Sequence, residues 1–140
     1  MNTAAASSAD MVAQAIAEVG AVGPVDAAAR LHAPELVFVD VRDAAEWALA
    51  RIPGAVNAPR GMLEFYIDPA SSFHLPAFDA SAGREYLFYC GSGARAALSA
   101  RLACEMGLHA RCMPGGFRAW QEAALPVERP AVSLGNERNN

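Results

Sequence analysis

Apolar residues fall along this chain in two alternating rhythms. In "DMVAQAIAEVG", Met11, Ala15 and Val19 lie four apart, with Val12 and Ile16 on the adjoining row. That spacing predicts a helix, with Asp10 as N-cap and Gly20 as its stop. "GPVDAAARLHAP" predicts a second short helix, ended by Pro34. The rhythm then changes: Leu36 to Val39 is a continuous β-type run, as expected of a strand covered on both faces. "DAAEWALARIPG" predicts a short helix that Asp43 caps and Pro53-Gly54 closes, and "GAVNAP" a brief second strand. "RGMLEFYIDPASSFHLPAFD" starts helically, breaks at Pro69 and continues irregularly through Pro76. "REYLFYC" reads as a third strand. In "ARAALSARLACEMG", Ala94, Leu98, Leu102 and Met106 fall four apart, and Gly107 stands where a C-terminal cap belongs. "LHARCM" is a fourth strand, "GGFRAWQEA" a last helix and "LPVERP" a return.

Strands that alternate with helices imply an α/β fold: a central, mainly parallel sheet of about five strands with helices on both faces. The length of 140 residues suits one domain, expected over residues 10–130. The alanine- and serine-rich residues 1–9 and the polar residues 131–140 read as loose tails. In a parallel sheet every strand-to-helix loop emerges at the carboxyl edge, where ligands bind in open α/β folds. The loops beginning at Val41, Ala58, Cys90 and Met113 are therefore expected to share one rim.

Composition narrows the function by exclusion. Hydrophobic residues are 54% of the chain, enough for a core, and the net charge of −4 gives no basic surface for nucleic acid. No run approaches the roughly 18 apolar residues of a membrane span. The first twenty residues lack the basic and continuous apolar regions of a secretion signal, so the expected location is the cytoplasm. Three cysteines without such a signal argue against a disulfide framework, and His32, His74 and His109 show no metal-ligand spacing with them.

One stretch carries candidate chemistry. In "YLFYCGSGAR" a strand ends at Cys90, and the loop Gly91, Ser92, Gly93, Ala94 leads into a helix that carries Arg95 in its first turn. Unpaired N–H groups at a helix start, with its dipole, form an anion cradle, and glycines let amides turn inward without Cβ clashes. A cysteine there is suited to nucleophilic work, with Ser92 as an added hydroxyl donor and small side chains leaving room above the sulfur. Two chemistries use such a cradle: phosphate-ester hydrolysis through a phosphocysteine, and sulfur transfer through a persulfide. Four residues separate Cys90 from Arg95. Cysteine-dependent phosphatases carry a longer ring that admits a tetrahedral phosphate, and the tighter ring better fits a single terminal sulfur.

At this point the chain resembles the single-domain rhodaneses, the thiosulfate sulfurtransferase family. The matching pieces are "DVRDAAEW" at 40–47, "RIPGAVNAP" at 51–59, "CGSGARA" at 90–96 and "MPGGFRAW" at 113–120, in family order. The segment of residues 60–80 resembles an insertion in some bacterial members, and Arg51 stands where many relatives carry histidine. The resemblance implies a three-layer α/β/α rhodanese-like fold. It implies Cys90 as nucleophile, a thiosulfate-like anion as sulfur donor and a thiol or protein as acceptor, with no cofactor and no metal. Main-chain amides from Gly91 to Arg95 would stabilise the persulfide. Arg95 either contacts donor oxygens or pins the loop to Asp40 or Glu46. The second is the commoner arrangement for an arginine near a buried carboxylate. Asp40 is expected to be structural rather than a general base. Arg42 and Arg60 either lend donor-binding charge to the rim or are solvated. Cys104 and Cys112 are expected in the core, His74 at the surface, and Trp47, Phe117 and Trp120 as anchors of helices to the sheet. The alternatives to an enzyme of this kind are a persulfide carrier with little turnover, or a small phosphatase or arsenate reductase.

Overall fold

The computed structural model describes residues 5–130. Helices α1 (Ser8–Val19) and α2 (Pro24–Ala28) precede strand β1 (Leu36–Asp40). Helix α3 (Ala44–Leu49), strand β2 (Val56–Asn57) and helix α4 (Leu63–Ile67) follow. Strand β3 (Glu85–Tyr89), helix α5 (Ala94–Glu105), strand β4 (His109–Cys112) and helix α6 (Gly116–Glu122) complete the order. The tail expected at 131–140 lies outside the described residues, as do residues 1–4. Residues 8 and 9, also expected in a tail, are helical because Ser7, not Asp10, caps α1: its hydroxyl accepts from the Asp10 N–H at 3.0 Å. Gly20 ends that helix at φ 87, as its position suggests.

The sheet has four strands rather than about five, in the order β2-β1-β3-β4, all parallel. The return "LPVERP" does not become a fifth strand. It makes one isolated antiparallel bridge, Arg51 with Glu128, and at the β4 edge a single parallel bridge, Ala21 with Cys112, falls short of a further strand. Strand residues alternate between two cores. Val39, Tyr86, Phe88, Ala110 and Cys112 face one core, which α1, α4 and α5 cover. Leu36, Phe38, Leu87, Tyr89 and Trp120 belong to the other, on the α2 and α6 side. This is a three-layer α/β/α sandwich.

Helix α5 packs through small residues. Ala96, Ala97, Ser99, Ala100 and Ala103 are its buried face, which brings the helix close to the sheet. The row predicted from spacing, Leu98, Leu102 and Met106, lies at the flank and is only partly buried, and Ala94 is exposed. Long aliphatic chains fill the margin here because the centre has room only for methyl groups.

The register fixes the rim. Asp40 pairs with Asn57 on one side and Tyr89 on the other, and Phe88 pairs with Cys112. The carboxyl ends of all four strands therefore lie side by side. The Cys90 loop emerges between the loop after β1 and the loop after β4.

Candidate active site

Cys90 directly follows β3, and its side chain continues the alternation of Tyr86 and Phe88 into the core under α1 and α5. Its Sγ accepts a hydrogen bond from the Gly93 N–H at 3.0 Å. Gly93 is the N-cap of α5 at φ 112, a left-handed conformation that glycine adopts without penalty. A Cβ there would come 3.1 Å from the Gly115 nitrogen, so the loop after β4 presses directly on this turn.

Helix α6 sets the direction of the other loop amides. The Phe117 N–H donates to the Cys90 carbonyl at 2.7 Å, and the Arg118 N–H donates to the Gly91 carbonyl at 3.2 Å. In a trans peptide the carbonyl and the following N–H point opposite ways. The N–H groups of Gly91 and Ser92 are thus aimed away from α6. Among the described residues the amides of Gly91, Ser92, Ala94 and Arg95 have no acceptor. Gly116 makes the contact possible: a Cβ on it would fall 2.4 Å from the Cys90 carbonyl oxygen and 2.7 Å from that of Gly91.

The sulfur is covered. Cys90 is 1% exposed, whereas Ser92, Ala94 and Arg95 above it are exposed and Gly91 is half-buried. A terminal guanidinium nitrogen of Arg95 lies 3.7 Å from where a Gly91 Cβ would stand, so the cation lies over the loop. Arg95 forms no ion pair among the described residues. The carboxylates expected to hold it are engaged elsewhere. Asp40 is fully buried and chelates Arg42, with Arg42 Nη2 at 2.7 Å and Nε at 3.0 Å, and it also accepts from the Arg42 N–H. Glu46 accepts from the Asp43 N–H at 3.3 Å, at the start of α3.

Arg42 is therefore neither a rim charge nor a solvated one. It is buried, donates to the Ala50 carbonyl, and stacks over Phe117 with 4.5 Å from guanidinium carbon to ring centre. Burial lowers its pKa, but the hydrogen bond and charge of Asp40 outweigh that and raise it. Desolvation, followed by the Asp40 charge, pushes the neighbouring Tyr89 hydroxyl far up, and that hydroxyl accepts from the Ile52 N–H. Arg60 is exposed and lines a separate groove with Glu64 and Arg101.

The remaining expectations divide. Cys112 is buried in the core, and desolvation pushes its thiol up. Cys104 is exposed on α5 rather than packed in the core; its thiol lies 3.3 Å from the Ala110 carbonyl. His74 is half-buried and contacts the Tyr66 carbonyl within the insertion, in a groove away from Cys90. Phe117 and Trp120 anchor α6 against the sheet. Trp47 is half-buried, donates to the Ala55 carbonyl and lies beneath Arg51, which bridges to Glu128 at 3.0 Å. Sequence reading missed the part played by α1, whose Val12 and Ile16 border the cysteine loop. Its spacing announced a helix, but only the tertiary fold shows where that helix lies.

Among the described residues, no three His, Cys, Asp or Glu side chains come together to hold a metal ion, and no helix is long and apolar enough to cross a membrane. A family model for the rhodanese-like domain matches residues 24–123. The thiosulfate:glutathione sulfurtransferase of Saccharomyces cerevisiae is 32% identical over 95 residues, which span 64% of this chain and 67% of that one. A Rhodopseudomonas palustris protein of unknown function, described as a possible tyrosine phosphatase, has a similar structure. Its TM-score is 0.81 at 36% identity, over 91% of this chain and 98% of that one. A rhodanese-related protein of Thermoplasma volcanium shares the fold, with a TM-score of 0.65 at 20% identity over 79% of this chain and 98% of that one.

Proposed function

Because this chain belongs to the rhodanese-like domain family, we propose that it moves sulfane sulfur from thiosulfate or a related anion to a thiol acceptor through a persulfide on Cys90. The observation that carries this reading is the hydrogen bond from the Gly93 amide to the Cys90 sulfur at 3.0 Å, at the N-terminus of the twelve-residue helix α5. The dipole of such a helix favours negative charge at its start.

The Cys90 thiolate attacks the outer sulfur of thiosulfate. A new S–S bond forms, the donor's S–S bond breaks, and sulfite leaves with the bonding pair. The total charge of −3 is the same on both sides of this step, by charge balance between a thiolate and a dianion. The free amides of Gly91, Ser92, Ala94 and Arg95 are the donors on hand for the terminal sulfur, and the Arg95 cation is on hand for the sulfonate oxygens. Asp40 and Arg42 are kept for scaffolding. The cover over Cys90 means that the donor enters as residues 91–94 shift, a motion eased by two glycines. The yeast relative's name supports thiosulfate as donor and glutathione as acceptor. The three free cysteines suit a reducing compartment such as the cytoplasm.

The test is a mixture of protein, thiosulfate and cyanide. Thiocyanate production that disappears in Cys90→Ala supports the enzyme. A stable gain of one sulfur on the Cys90 peptide without turnover makes the protein a carrier instead. The description of the Rhodopseudomonas palustris neighbour keeps phosphate-ester hydrolysis as a second reading. The short ring from Cys90 to Arg95, pressed by Gly115, disfavours it. Hydrolysis of p-nitrophenyl phosphate that vanishes in Cys90→Ser would reverse that preference.

A further inference from the structure

The segment of residues 60–80 lines a cavity of about 500 Å³ at the opposite end of α5 from the Cys90 loop. Helix α5 has twelve residues, so about 18 Å of helix separates the two ends. Buried Ile67, Phe78 and Leu108 line the cavity, with Met106 from the C-terminus of α5. Its walls are held in place. The Tyr86 hydroxyl, from β3, donates to the Ala77 carbonyl and accepts from the Asp79 N–H, both at 2.9 Å. Phe78 packs on the Tyr86 ring, with centroids 5.7 Å apart.

The polar groups at this cavity are acceptors of hydrogen bonds. His74 Nδ1 donates to the Tyr66 carbonyl at 3.1 Å, so Nε2 of the neutral ring carries a lone pair. Asp79 Oδ1 accepts from the Ser81 N–H at 2.9 Å and from the Ser81 hydroxyl at 2.6 Å. Asp79 Oδ2 has no partner among the described residues. The Ser81 hydrogen bonds hold the Asp79 carboxyl below its usual range, with lesser help from Arg84 and His74. Arg84 does not pair with it; its guanidinium donates to the Ala77 carbonyl at 3.4 Å. The C-terminus of α5 adds partial negative charge on the same side, and among the described residues no arginine or lysine lines the cavity.

We propose that this cavity binds a free small molecule that carries a primary ammonium group on an apolar body. The ammonium donates to Asp79 Oδ2, with His74 Nε2 as a further acceptor, and the body covers Phe78, Met106 and Leu108. The volume is that of a small-molecule site. The site does not depend on the sulfurtransferase reading.

The experiment follows the amide resonances of isotope-labelled protein during titration with phenylbutylamine, phenylbutanol, phenylbutyrate and butylamine. Phenylbutylamine is expected to move the Ala80, Met106 and Leu108 amides saturably and to leave Gly91 and Gly93 in place. Phenylbutanol is expected to bind about fivefold more weakly for want of the ion pair, and phenylbutyrate more weakly still. Butylamine, without the ring, is expected to bind at least about tenfold more weakly. Asp79→Asn keeps an oxygen for Ser81; it is expected to weaken phenylbutylamine about fivefold and to leave phenylbutanol unchanged. No saturable shift at about 10 mM phenylbutylamine overturns the site. Phenylbutanol or phenylbutyrate binding as tightly as the amine overturns it equally. Acetyl-lysine methylamide binding more tightly than phenylbutylamine gives the cavity to a lysine of a partner protein and overturns it too. The comparison of probes on the parent needs no variant, so misfolding of Asp79→Asn does not spare the proposal.

Discussion

At the scale of single residues, one thiol and one ion pair hold different offices. Cys90→Ala should abolish the gain of sulfur from thiosulfate while the far-ultraviolet circular dichroism spectrum stays that of the parent. Mass spectrometry of the Cys90 peptide checks this. Asp40→Ala should instead strike stability. It leaves the Arg42 guanidinium buried without its carboxylate, a loss of about 3–5 kcal/mol in denaturant unfolding. The cysteine and its glycines were legible in sequence because backbone chemistry is written locally: a strand end, two small residues, a helix start. The partners of the arginines were not. Arg42 and Arg95 look alike in the sequence, yet one is sealed over Phe117 and the other lies free over the loop. Arg42 stands two residues after Asp40 and closes on it locally, which leaves Arg95, across the β1–β3 pair, without that carboxylate.

At the scale of elements, the start of α6 shapes the start of α5. Gly116→Ala would put a methyl group into the Cys90 and Gly91 carbonyls and break the hydrogen bonds from Phe117 and Arg118. The expected result is a loss of about 1–3 kcal/mol of stability and a fall in sulfur transfer larger than the lost folded fraction explains. Activity per folded molecule, measured below the melting temperature, checks it. Strand β3 carries a pH-dependent contribution at its entry. A hydrogen bond from Arg30, aided by its charge, holds the Glu85 carboxyl below its usual range against desolvation. A carboxylate depressed by folding stabilises above its unfolded pKa, and that contribution is lost as pH falls through the folded value. Glu85→Gln should therefore be less stable than the parent at pH 7, and the gap should close in unfolding curves taken below about pH 4. Helices and strands were legible from their periods. The buried face of α5 was not, because hydrophobic spacing favours leucines over the alanines that the close helix-to-sheet contact selects.

At the scale of the molecule, the parallel sheet gathers the strand-to-helix loops on one edge, as the alternation of strands and helices implied. The strand count was harder to read: beyond β4 only the isolated bridge of Ala21 with Cys112 extends the sheet among the described residues, and the final return serves as a strap. Glu128 pairs its backbone with Arg51, at 3.0 and 2.8 Å, and its carboxylate accepts from the Gly54 N–H and from Arg51. Glu128→Ala should loosen this strap and raise hydrogen exchange at the Gly54 amide, with little change at β3 or α5.

The lid of small residues over Cys90 has one more consequence. A sulfur roofed in this way is sheltered from peroxide and from passing reductants as well as from its intended customers. A persulfide formed there, as proposed above, should then outlive a free small-molecule persulfide in air, and the protein would act as a reservoir between the arrival of one reagent and the next.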